Sequence, residues 1–142
     1  MRRLRRRSAA TPSSLQDTET IARLRRDAAI LSLRFGLVCR EVTPESPRVK
    51  RRYGVCTHDG RIFVRLRHVR TGKLLKYSSL VNTLCHELAH LRHFNHGPRF
   101  KRFYLEILAQ ARRSGIYRPG PPDPQLGFQL ELFSSHSDSP SS

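Results

Sequence analysis

The sequence predicts an α+β domain. Three observations carry this reading. Ile21, Leu24, Ala28, Leu31 and Phe35 recur at helical spacing near the start. Short alternating runs bounded by turn residues follow between about residues 37 and 69. Two further helical stripes close the pattern, and this order of helix, small sheet and helix pair is that of an α+β layer.

The first helix stops at Gly36, a residue suited to a helix end. LVCREV (37–42) reads as a short strand, followed by the turn-rich TPESP. RRYGVCTHDGRIFVRLRHV (51–69) reads as a hairpin turning at Asp59-Gly60, with Ile62, Val64 and Leu66 alternating with Phe63, Arg65 and Arg67. The small sheet is expected to be antiparallel. Thr71-Gly72 marks another turn. A second helix is predicted from Ser78 or Ser79, either of which could cap it, with Leu80, Leu84, Leu88 and Leu91 as its apolar stripe. A third begins at Pro98, carries Phe100, Phe103, Tyr104, Ile107, Leu108 and Ala111, and stops at Gly115.

The chain has 142 residues, enough for one domain with flanking segments. Residues 1–13, which include MRRLRRR, read as a disordered basic arm, residues 14–118 as the folded domain, and residues 119–142 as a disordered tail. PGPPDP (119–124) has four prolines in six residues, which stops helix and sheet alike. Three cysteines without a regular spacing do not form a disulfide framework and suit a reducing, cytoplasmic setting. No apolar run is long enough to span a membrane. Lys and Arg number 27 against 11 Asp and Glu, a net charge of +16. That excess favours polyanions: DNA, which would fit a nucleoid-associated location, RNA, or an anionic membrane surface; the plainer reading is a solvated charged surface. Between Arg34 and Lys76 there are twelve basic residues and three acids. Arg51, Arg52, Arg65 and Arg67 are the candidate phosphate contacts, with Arg65 and Arg67 placed on the polar face of a strand.

TLCHELAHLRHFNHGPRF (83–100) holds four of the seven histidines within eleven positions. At ~100° per residue, His86, His90 (~40°) and His93 (~340°) share one helix face, across from the leucine stripe. His86 and His90, one turn apart, can converge on one ion. Glu87 sits beside that face and can reach a water without ligating. This is the H-E-x-x-H pattern of two ligands and a general base. Zinc, ahead of other divalent ions, needs a third protein ligand and in a catalytic site keeps a position for water. His93 and His96 compete for that place. His93 shares the face but rises ~4.5 Å beyond His90; His96 stands just before Gly97-Pro98, where a reversal can fold it back under the ion, which favours His96. His93 is then a group behind the ligands, a group on the substrate side, or a plain surface residue.

HELAHLRHFNHGPRF resembles the HExxH-x5-H signature of the YgjP-like, WLM and SprT-like zinc metallopeptidases. RRYGVCTHDGRIFVRLR resembles the hairpin of the YgjP-like group at Arg52, Tyr53, Gly54, Cys56, Gly60, Ile62 and Leu66, with Val55 in place of Ser and Arg67 in place of Asn. The resemblance spans about residues 50–108. It implies a minigluzincin-like fold, one Zn2+ held by His86, His90 and His96, Glu87 as the catalytic base, and hydrolysis of peptide bonds in a protein substrate. Tyr53, Tyr77 and His93 are the candidates for stabilising the oxyanion. In the tail, Gln129-Leu130-Glu131-Leu132-Phe133 looks like the Q-L-x-L-F peptide that binds the bacterial sliding clamp, Gln129 at a pocket rim and Leu130, Leu132 and Phe133 in apolar subsites. The alternation of Phe128, Leu130 and Leu132 also fits a segment packing back on the domain. The conjunction points to a protease working on DNA-bound or crosslinked proteins. Two other readings stand beside it: a DNA- or clamp-binding adaptor with a structural metal, and a metal-dependent hydrolase of nucleotides.

Overall fold

The computed structural model describes residues 12–120. The order is α1 (Pro12–Phe35), β1 (Glu41–Pro44), β2 (Gly54–Cys56), β3 (Arg61–Val64), α2 (Tyr77–His90) and α3 (Pro98–Arg113). This is the α+β architecture read from the sequence. Among the described residues no helix is long and apolar enough to cross a membrane. The basic arm up to residue 11 and the tail from residue 121, with Gln129, Leu130, Leu132 and Phe133, lie outside the described residues.

α1 buries Ile21, Leu24, Ala28 and Leu31 on one face, and Gly36 at φ +65 ends it. Its first turns precede the apolar stripe. They are tied down by a polar contact, Arg67 donating to Asp17 at 2.7 Å. At the other end the Arg92 guanidinium donates to the Phe35 carbonyl at 2.6 Å, satisfying a carbonyl the helix leaves open.

The sheet has the order β1-β3-β2. It is mixed, which corrects the antiparallel expectation: β2 pairs with β3 antiparallel, but β1 pairs with β3 parallel. β1 ends level with Val64, and β2 begins level with Val64 on the far side of β3. Residues 45–53 thus carry the chain across two strand spacings, about 9.5 Å, and leave the middle lane for β3. The predicted hairpin is present: the Gly60 N–H donates to Thr57 O at 3.1 Å and Gly60 adopts φ +91. The first strand lies later than the predicted 37–42. Leu37 donates its N–H to Ser32 O at 2.8 Å, completing the end of α1, so the ladder starts only where β3 begins.

The two sheet edges differ. Val42 turns its carbonyl outward, where Arg25 Nε donates to it at 2.7 Å, and Pro44 has no N–H, so the β1 edge is closed to further pairing. On β2, Tyr53 O and Thr57 N bond to β3, so the alternation turns the backbone groups of Gly54 and Cys56 toward the outer edge.

α2 is the central element, packed against α1, α3 and the sheet. Every residue from Ser79 to His90 is buried, so its polar face is covered too, not only its leucine face. Neither Ser78 nor Ser79 caps it. The helix already includes Tyr77, whose hydroxyl donates to Asp27 at 2.7 Å and anchors the first turn to α1. α3 starts at Pro98 as predicted and buries Phe100, Phe103, Ile107 and Ala111.

Candidate metal centre

The last turn of α2 and the loop that follows bring three imidazoles together. His86 and His90 project from the helix one turn apart. The chain reverses before Gly97, and His96 folds back, its ring 4.6 Å from that of His90 and 5.2 Å from that of His86. Ligating nitrogens of His86, His90 and His96 all lie within 4.8 Å of one another. His90 Nε2 and His96 Nε2 are 3.0 Å apart. Two nitrogens on a tetrahedral zinc, each about 2.05 Å from it, stand about 3.3 Å apart. The donor set and its spacing therefore fit zinc.

His90 is oriented for this task. Its Nδ1 lies 3.0 Å from the His93 carbonyl oxygen. The ring donates there, which leaves the Nε2 lone pair facing the triad. Burial first, with His86 and His96 adding to it against the Glu87 carboxylate and the His93 carbonyl, lowers His90 to about 4. The ring is neutral at pH 7, the form a metal needs.

Phe100 forms the floor. Its ring stacks on His90 at 4.5 Å and meets His86 and His96 edge-on at 5.0 and 4.9 Å. The sequence puts Phe100 in the stripe of α3 and within the matched segment; its contact with all three rings comes only from the fold. Tyr104 was missed as a site neighbour. Its ring lies 5.6 Å from His86 and its hydroxyl donates to the buried Asn82 side chain. The signal was there: Phe100 and Tyr104 are four apart on α3, and Asn82 and His86 four apart on α2.

Glu87 is buried beside the triad and outside it, Oε2 lying 3.1 Å from His86 Nδ1. It lines a cleft of about 300 Å3 together with His86, His90, His96, Phe94 and residues 51–56. β2 passes close to α2 here. A Cβ on Gly54 would stand 2.6 Å from Thr83 Cγ2 and 3.2 Å from Glu87 Cγ, so glycine is what allows the approach.

The other predicted residues divide. Tyr53 lines the cleft, and burial raises its hydroxyl above the usual range. Tyr77 is nine residues before His86, about 13 Å along the helix, and is bonded to Asp27, so it is not at the site. The His93 ring turns to Phe103 at 5.7 Å, while its carbonyl serves His90. Arg51 and Arg52 line the cleft, Arg52 pairing with Glu45 at 3.0 Å. Arg65 corrects the expectation of a polar strand face: it is buried, donating to the Val49 carbonyl at 2.5 Å and the Arg52 carbonyl at 3.0 Å. Arg67 is held by Asp17 and the Gly72 carbonyl. Arg65 is turned away from solvent, and Arg67 is partly exposed.

A family model described as WLM domain matches residues 12–117. The fold is similar to the crystal structure of Wss1 from Saccharomyces cerevisiae, with a TM-score of 0.67 and 19% identity over 76% of this chain and 88% of that one. It is also similar to a mutant of Wss1 from S. pombe, with a TM-score of 0.59 and 23% identity over 72% of this chain and 91% of that one. No curated protein sequence matches significantly.

Proposed function

The chain belongs to the WLM family, and on that premise we propose that it is a zinc-dependent peptidase acting on proteins bound or crosslinked to DNA. One observation carries the reading: three imidazole nitrogens converge while Glu87 stands beside them without joining the set. A structural zinc site is closed by a fourth protein ligand. Among the described residues the group that could hold an ion here is His86, His90 and His96, and Cys56, although it lines the cleft, is not part of it. Three ligands and an open cleft favour the enzyme over the adaptor. The HELAH-x5-H run and the RRYGVC hairpin support a wider kinship of this site with the YgjP-like and SprT-like families.

When bound, zinc supplies Lewis acidity toward water and the scissile carbonyl. The chain's own residues do the rest. His86, His90 and His96 hold the ion, Phe100 fixes their rings, and the His93 carbonyl fixes the His90 tautomer. Glu87 accepts a proton on its carboxylate from the attacking water and delivers it to the leaving amine. Tyr53 is the oxyanion donor best placed in the cleft. The outward backbone groups of Gly54 and Cys56 offer main-chain bonds to an extended peptide, which favours a peptide over a nucleotide as substrate.

Arg51, exposed at the lip of the cleft, and the charge of +16 support DNA as the scaffold on which substrates are met. QLELF supports recruitment by the bacterial sliding clamp, and a cytoplasmic, nucleoid-associated protein is the corresponding location. The full chain assayed against casein, nucleoside triphosphates and a DNA–protein conjugate, with and without chelator, tests the proposal. Chelator-sensitive cleavage of the conjugate is expected; hydrolysis of triphosphates alone would replace the peptidase reading.

A further inference from the structure

Away from the metal, a groove of about 730 Å3 runs between α1 and residues 37–43. Leu33 and Val38 on its wall are 85% and 79% exposed, the highest values for large apolar side chains among the described residues. Ser32 also lines it. That side chain is 7% exposed, and among the described residues its hydroxyl has no hydrogen-bond partner. A buried hydroxyl in this state calls for a polar atom entering the groove. Arg25 and Arg40 stand at the rim, while Glu41 at the same rim already accepts from Thr43 at 3.0 Å.

We propose that the groove is the docking site of this chain's own tail, residues 126–133 (LGFQLELF). In an extended segment Phe128, Leu130 and Leu132 share one face and can cover Leu33 and Val38. A backbone carbonyl of the segment reaches Ser32, and Glu131, on the opposite face, meets the Arg25 and Arg40 rim. The length suits this. Gly120 lies in a concavity with Arg23, two residues from Arg25 on α1. Residues 121–127 reach about 23–25 Å when extended, more than the ~16–19 Å around one side of a helix ~10–12 Å across. Arg25 and Pro44 close the β1 edge, so the segment docks through side chains and not as an added strand. The inference is independent of the peptidase reading. The same apolar side chains would fill the clamp's subsites, so groove and clamp compete for one segment.

The chain has no tryptophan, so a single one can report the tail. In full-length Phe128→Trp protein the emission is expected to be blue-shifted. It should move to the red when Leu33→Asp is added, a change at an exposed position that leaves the fold intact by circular dichroism. Emission of a solvated tryptophan that ignores Leu33→Asp overturns the proposal. So does a blue shift that depends on protein concentration, because the occupant is then a second copy. Hydrogen exchange avoids the reporter: residues 36–43 should exchange several-fold faster in the full-length Leu130→Ser/Leu132→Ser variant than in wild type, and equal rates overturn the proposal.

Discussion

Gly54 and Glu87 approach so closely that a single methyl group on Gly54 would stand 3.2 Å from Glu87 Cγ. The same methyl would stand 2.6 Å from Thr83 Cγ2, a distance that cannot be kept. Gly54→Ala is therefore expected to push β2 away from α2, at a cost of about 1–3 kcal/mol in stability, and to lower kcat/KM by at least tenfold. Thr83→Ser deletes the clashing methyl, so the double variant should recover part of both losses. Thermal melting and steady-state cleavage of the two variants check this; a Gly54→Ala protein as active as wild type would show that the spacing is slack.

The histidines are expected to differ in their part in zinc binding. His96→Ala removes a member of the triad, and zinc content by atomic absorption should fall well below one per chain. His93→Ala removes a ring packed on Phe103 but keeps the carbonyl that serves His90. It should retain zinc and stay within about threefold of wild-type activity, a barrier change under 1 kcal/mol. Chelation of the wild type should lower its melting temperature, and added zinc should restore it, because a ligand bound only to the folded state stabilises that state.

Arg65 and Arg51 separate stability from polyanion binding. Arg65→Ala leaves the Val49 and Arg52 carbonyls without their donor and is expected to cost about 1.5–3 kcal/mol, seen as a melting temperature lowered by several degrees. Arg51→Ala should melt like wild type and reduce the salt dependence of DNA affinity by about one phosphate contact. A salt slope unchanged by Arg51→Ala would remove it from the DNA interface.

The thiols should be sluggish. Cys56 lines the cleft, yet burial first, and then the charge of Glu87, pushes it up to about 12. At pH 8 that leaves about one thiolate in 10^4, against roughly one in four for an ordinary thiol of pKa ≈ 8.5. Burial also raises Cys39 and Cys85. In a Cys39→Ser variant, Cys56 should react with a disulfide reagent at least 100-fold more slowly than in the unfolded chain, and the rate should still be rising with pH well above 9. Rapid modification at pH 8 would contradict this environment for Cys56.

Much of this was legible in the sequence. The i, i+4 spacing of His86 and His90 and the reversal at Gly97-Pro98 fix a local geometry, and local geometry can be read from spacing. Pro98 and Gly115 mark the ends of α3 by their own backbone preferences. What escaped depends on contacts between distant segments. Arg65 has the pattern of an outward strand residue, but the loop before β2 folds over it and its guanidinium serves two carbonyls of that loop. The parallel pairing of β1 with β3 depends on which lane β2 takes, and nothing in EVTP records that. The polar face of α2 reads as solvated until α3 supplies Phe100 and Tyr104 to cover it. Ser78 and Ser79 carry a capping signal, which loses to the bond between Tyr77 and Asp27.

In the proposed reaction the three histidines would hold the ion while Glu87, beside them, moves the proton. Glu87→Gln keeps the size of the side chain and removes its basicity. Zinc content and cleavage of a DNA–protein conjugate should be measured on the same preparation of that variant. The expected result is one zinc per chain and a rate reduced by at least 10^2, in the range that general-base catalysis contributes. Full zinc with cleavage as fast as wild type would rule out Glu87 as the base, because the proton would then be moving without it.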